Sequence, residues 1–107
     1  MTMVSVDDRT RRIGVLDRPL ALQVILLERT YVLPWSQFLY AEGGNDEMRL
    51  IFTTHDVMMK GSDLNALLAA ISAQGLALIQ EPVRPDRFSV GNGPFISEIS
   101  VKRIEQD

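Results

Sequence analysis

One segment of the chain has a clear helical period, and it limits the fold more than any other feature. Four aliphatic residues follow the i, i+3, i+4, i+7 spacing of a single helix face: Leu64, Leu67, Leu68 and Ile71. Ser62 precedes this stripe as a residue that can cap a helix, and Gly75 follows it as the residue type that commonly ends one. We therefore predict one amphipathic helix near residues 62–74, with all four aliphatic residues in the core.

The other periodic segments are short and rich in branched or aromatic residues, which favours strands. They are residues 20–27, 30–33, 38–42, 48–52, 57–60, 76–81 and 95–103. Pro34 ends one of them, and a Pro34-initiated helical turn at residues 35–37 leads into the next. We predict an α+β fold, in which a small antiparallel sheet of about 6–8 short strands, open or rolled, packs against the helix.

The length and composition indicate one folded domain. A chain of 107 residues with 46% apolar and 23% charged residues can form a core, which excludes disorder of the whole chain. Residues 1–11 lack a sustained period and are predicted to be loosely ordered, whereas residues 12–107 form a single α+β domain. The absence of cysteine excludes disulfides, thiolate zinc sites, iron–sulfur clusters and a cysteine nucleophile.

We expect a cytoplasmic protein without a membrane segment. The first residues are polar and acidic where a signal peptide needs a basic start followed by an apolar stretch. The longest uninterrupted apolar run, residues 66–71, is far shorter than the roughly 20 residues that span a bilayer. Nucleic acid is not an expected partner, because the net charge is −3 and the arginines alternate with acidic residues.

No group of residues in the sequence indicates catalysis, a cofactor or a metal. His55 is the single histidine, and we place it at the tip of a hairpin loop, where it and Asp56 would bond local backbone. A general base or a metal site built on His55 is the alternative. The glycines of residues 91–94 lack the Lys-Ser/Thr and the following helix of a phosphate-binding loop. We predict no catalytic residue, no cofactor and no metal ligand.

Six residues are candidates for an interface or ligand contact: Trp35, Tyr40, His55, Met58, Met59 and Ile96. The aromatic residues suit either the core or a binding surface. Adjacent methionines in a strand point to opposite faces, so one of them is expected to leave the core. Strict alternation along residues 95–103 places Ile96 on the polar face of the last strand, beside Glu98 and Lys102.

Two hypotheses on function follow. The first is a small non-catalytic interaction domain that self-associates as a homodimer, through a strand edge or through a sheet face near Met58 or Met59, or that binds another protein. The alternative is a small-molecule-binding protein or a minor enzyme. Its pocket would lie between the helix and the sheet, with Trp35, Tyr40 and His55 near the mouth.

Overall fold

The computed structural model, which describes residues 13–82 and 93–104, has eight strands. Seven of them form from the predicted β-prone segments, and the eighth, β1, was not predicted. The predicted loosely ordered start, residues 1–11, lies outside the described residues. The strands are β1 (Ile13–Val15), β2 (Ala21–Ile25), β3 (Thr30–Pro34), β4 (Phe38–Gly43), β5 (Glu47–Phe52), β6 (His55–Ser62), β7 (Leu76–Gln80) and β8 (Phe95–Arg103). A 3₁₀ turn, Trp35–Gln37, joins β3 to β4, as the sequence predicts.

The strands form two four-stranded sheets. Sheet 1 has the order β1-β7-β2-β3, and sheet 2 has the order β4-β5-β6-β8. All pairs are antiparallel except β2 with β7, which is parallel. Together with one short helix, this arrangement confirms the predicted α+β fold.

The helix is shorter than predicted. A 3₁₀ turn spans Leu64–Leu67 and the α-helix α1 spans Leu68–Ser72. Ser62 is the last residue of β6, and it is Gln74, with φ of 54°, that takes the left-handed conformation after the helix, in place of Gly75. Because a 3₁₀ turn has three residues per turn, the apolar stripe rotates at this point, and Leu68 is left 42% exposed.

One core connects both sheets with the helical segment. Among the described residues it contains sixteen buried apolar side chains: Leu22, Val24, Leu33, Trp35, Met48, Leu50, Phe52, Val57, Met59, Leu64, Leu67, Ile71, Leu76, Ile79, Ile96 and Ile99. Buried and exposed residues alternate along β2 and β5, as expected for strands with one face on a core. No helix in the described part of the chain is long and apolar enough to cross a membrane.

A β-bulge in β8 overturns the predicted alternation of that strand. Lys60 pairs with Glu98 and Gly61 pairs with Ile96, so Ser97 is the extra residue on the β8 side. The bulge turns Ile96 into the core, where it is 1% exposed, so its placement on the polar face was wrong. A Cβ atom at position 61 would collide with the carbonyl oxygen of Phe95, which explains the glycine there.

Candidate functional site

The outer face of sheet 2 combines apolar side chains with charges of both signs. The strand period of two directs Met48, Leu50 and Phe52 of β5 into the core, so the alternate residues of β5 and of its neighbours face outward. The outward residues, which we call the outer face of sheet 2, are Leu39, Tyr40, Glu42, Glu47, Arg49, Ile51, Asp56, Met58, Lys60, Glu98, Ser100 and Lys102.

An exposed apolar corner occupies the β4 end of this face. The register shifts between Phe38 and Tyr40, which leaves Leu39 as the extra residue of a second bulge. Leu39 and Tyr40 are both exposed, at 57% and 51%. Tyr40 pairs with Ile51 on β5, so these side chains share one corner of the sheet. Two adjacent residues that both point outward require such a bulge, and no signal in the sequence predicted it.

Charged residues lie opposite one another across the other strands of this face. Asp56 pairs with Lys102, and Lys60 pairs with Glu98. Arg49 Nε lies 3.3 Å from Asp56 Oδ1 on the neighbouring strand. Both of these atoms are buried but not aligned for a hydrogen bond, so their attraction is that of two opposite charges.

The long edge of sheet 2 is the outer side of β8. β8 has nine residues and pairs with β6 on one side. Its other side has no strand partner among residues 13–82 and 93–104. Glu98, Ser100 and Lys102 are exposed on the outer face, whereas Ile99 is buried on the inner face. The sequence predicted Ile96 as an interface residue of this strand, but the residues exposed along its edge are these three polar ones.

The two methionines of β6 separate as the strand period requires. Met59 is fully buried in the core. Met58 is half-buried on the outer face, where it pairs with Arg49 on one side and Ser100 on the other. Of the two, Met58 is therefore the one that can touch a partner.

His55 does not lie at a hairpin tip. The turn between β5 and β6 consists of Thr53 and Thr54 alone, and His55 is the first residue of β6. Its ring packs edge-on against the ring of Tyr31 in sheet 1, with the two ring centroids 5.3 Å apart. Its Nδ1 lies 2.7 Å from the hydroxyl oxygen of Thr54. Asp56 belongs to the opposite face, so the structure does not join the two side chains. Within the described residues, no group of three or more His, Cys, Asp or Glu could hold a metal ion.

Trp35 is a core residue that borders a cavity. Its indole N–H donates to the carbonyl oxygen of Leu76 at 2.9 Å, and its ring packs against Phe38 and Phe52 at 4.9 and 5.6 Å. Beside it lies a cavity of about 500 Å³ that is open to the surface. The cavity is lined by Arg18, Pro19, Leu20, Pro34, Trp35, Ser36, Ala73 and Gln74.

Only Trp35 of the three predicted mouth residues contributes to this cavity. Tyr40 and His55 are not among the residues that line it. Leu20, at its rim, is 90% exposed. Leu20 is the residue that sequence reasoning missed here, because it was assigned to a mostly buried strand that begins one residue later.

Comparisons of the chain with protein-family models, with curated proteins and with solved structures find no match. The function is inferred from the geometry of sheet 2 and of the Trp35 cavity.

Proposed function

We propose that this chain is a small, non-catalytic interaction domain that acts in the cytoplasm and assembles with a second copy of itself. The observation that supports the proposal is the outer side of β8, a nine-residue edge strand that pairs with no other strand among the described residues. That length corresponds to about 30 Å of extended backbone. An edge strand presents unpaired N–H and C=O groups, and a second strand can satisfy them by adding to the sheet.

The short strand β1 cannot provide a comparable template. This strand, an edge of sheet 1, has only three residues. The other edge of sheet 2, β4, has six residues and is interrupted by the bulge at Leu39. Bulges and short length are the features that keep an edge from pairing. The bulge of β8 is at Ser97, near its start, so the rest of the strand, from Glu98 to Arg103, stays regular.

Native mass spectrometry and sedimentation velocity on the full chain test this proposal. We expect a species of twice the chain mass at high micromolar concentration, without bound small molecules, that dissociates on dilution. A strictly monomeric chain at that concentration would contradict self-association. Purification without chelators keeps any bound ligand in the same spectrum.

The Trp35 cavity supports a second candidate function, the binding of a small molecule. Its volume of about 500 Å³ lies within the range of known ligand sites, roughly 300–1,000 Å³. Pro19, Leu20 and Pro34 supply apolar walls, while Arg18 and Ser36 supply a cation and a hydroxyl. These groups suit a small apolar carboxylate.

The fluorescence of Trp35, the single tryptophan, reports on this cavity. Titration with short-chain and aromatic carboxylates should change its emission, and an Arg18→Gln variant should weaken the binding. An unchanged spectrum with every carboxylate, together with a native mass spectrum of bare chains, would rule this candidate out.

A further inference from the structure

We infer that two copies pair through β8 in one antiparallel register, in which Ser100 lies opposite Ser100 of the second copy. The inference rests on the proposed self-association and names its geometry. A twofold axis perpendicular to the sheet would pass between the two serines. It would join both copies of sheet 2 into one continuous sheet of eight strands, because each copy contributes four.

The charges of β8 are self-complementary in this register. Glu98 lies two residues before Ser100 and Lys102 lies two residues after it. Both side chains are exposed on the outer face. In an antiparallel pair centred on Ser100, Glu98 of each copy lies directly opposite Lys102 of the other. Directly opposite Cβ atoms are about 4.5–5.5 Å apart, which is within reach of an ion pair. The symmetry produces this pair twice.

The pairing within each copy extends the same alternation of charge. Lys102 already lies opposite Asp56 on β6, and Glu98 already lies opposite Lys60. Across the junction, one row of the outer face would therefore read Asp56, Lys102, then Glu98 and Lys60 of the second copy. Each charge in this row has neighbours of opposite sign only, and like charges that lie directly opposite would have been unfavourable.

Other registers lose this match. A centre on Glu98 or on Lys102 places like charges opposite each other. A centre on Ile99 places Glu98 opposite Ser100, and a centre on Val101 places Lys102 opposite Ser100. Only the centre on Ser100 pairs both charges of each copy with their opposites while the outward residues stay on one face.

The inner face of the strand also fits the register centred on Ser100. Ile99, which is 4% exposed, would lie opposite Val101 of the second copy, and Val101 already packs against the core. Two such apolar pairs would flank the axis. The inner faces of the two sheets would then continue as one apolar surface beneath the charged row.

Charge-reversal variants that restore each other test the register. In a homodimer, Glu98→Lys places a basic side chain opposite Lys102, and Lys102→Glu places an acidic side chain opposite Glu98, so each variant alone should repel its own copy. A mixture of the two should form a heterodimer. The Glu98→Lys copy is basic at positions 98 and 102 and the Lys102→Glu copy is acidic at both, so both close pairs across the axis of the inferred register then join opposite charges. We expect each single variant to raise the dimer Kd at least about tenfold, and the mixture to recover most of that loss, as measured by sedimentation velocity.

Glu42→Lys is the matched control. It makes the same change of charge on the same outer face, but on β4 at the opposite edge of sheet 2, so the dimer Kd should stay within about twofold of the original. Circular dichroism of all variants shows whether the fold is kept. High salt should weaken the dimer of the original chain and strengthen the two repelling homodimers.

The outcomes separate the two proposals. If the original chain is monomeric, self-association itself is wrong. If it dimerises but the charge variants dimerise equally well, or their mixture gains nothing over either alone, then the register is wrong and self-association stands.

Discussion

Two adjacent leucines of the helical segment give the sharpest test of the packing. Leu67 is 3% exposed and belongs to the core, whereas Leu68 is 42% exposed. Truncating a buried leucine to alanine costs about 2–5 kcal/mol, because transfer free energy is lost and a cavity remains. Leu67→Ala should fall in this range. The side chain of Leu68 is only about half-buried and leaves no closed cavity, so Leu68→Ala should cost about 1 kcal/mol or less.

Thermal and urea unfolding followed by circular dichroism measure both variants under the same conditions. About 1 kcal/mol corresponds to roughly 4–8 °C in Tm for a domain of this size, so Leu67→Ala should lower the Tm by about 10 °C or more. Leu68→Ala should lower it by only a few degrees. Equal losses, or a larger loss for Leu68→Ala, would show that the helical stripe has the unrotated phase expected from the sequence and that the 3₁₀ turn is misplaced.

Two further substitutions probe the backbone and the buried indole. Gly61→Ala should lower the free energy of unfolding by about 1–3 kcal/mol, because its Cβ would collide with the carbonyl oxygen of Phe95. Gly44→Ala is the control: a Cβ there has no atom within 4 Å, so the free energy of unfolding should change little. Equal effects on the midpoint of urea unfolding would argue against the close approach of β6 and β8. Trp35→Phe removes the hydrogen-bond donor to the buried carbonyl oxygen of Leu76, so it should lower the free energy of unfolding by about 1–3 kcal/mol or more, as measured by urea unfolding followed by circular dichroism. An unchanged midpoint of unfolding would mean that this hydrogen bond contributes nothing to stability.

Local sequence signals were sufficient for most of the strands. β2 and β3 form from two of the predicted strand segments and pair as an antiparallel hairpin, because the branched run, the polar residues Glu28 and Arg29 and the stop at Pro34 all act within a few residues. The 3₁₀ turn after Pro34 and the full length of β8 were predicted for the same reason.

The features that the sequence did not predict depend on contacts between distant segments. The bulge at Ser97 exists because Gly61 of another strand allows the backbone of β8 to approach closely. Alternation within β8 alone therefore assigned Ile96 to the wrong face. Likewise, Tyr31 and Leu76 lie on strands far in the sequence from His55 and Trp35. Neither the edge-on contact of His55 with Tyr31 nor the hydrogen bond from Trp35 to Leu76 was therefore predictable.

Charged side chains on an edge strand usually prevent other strands from pairing with it. This protection is compatible with the pairing of β8 with a second copy of itself. A foreign strand that adds to β8 would have to offer an acidic residue opposite Lys102 and a basic residue opposite Glu98, at a spacing of four. β8 itself meets this requirement when it is inverted about Ser100. In the proposed register, the same two charges would therefore oppose pairing with most other strands and favour a second copy, although no strand among the described residues pairs with this edge.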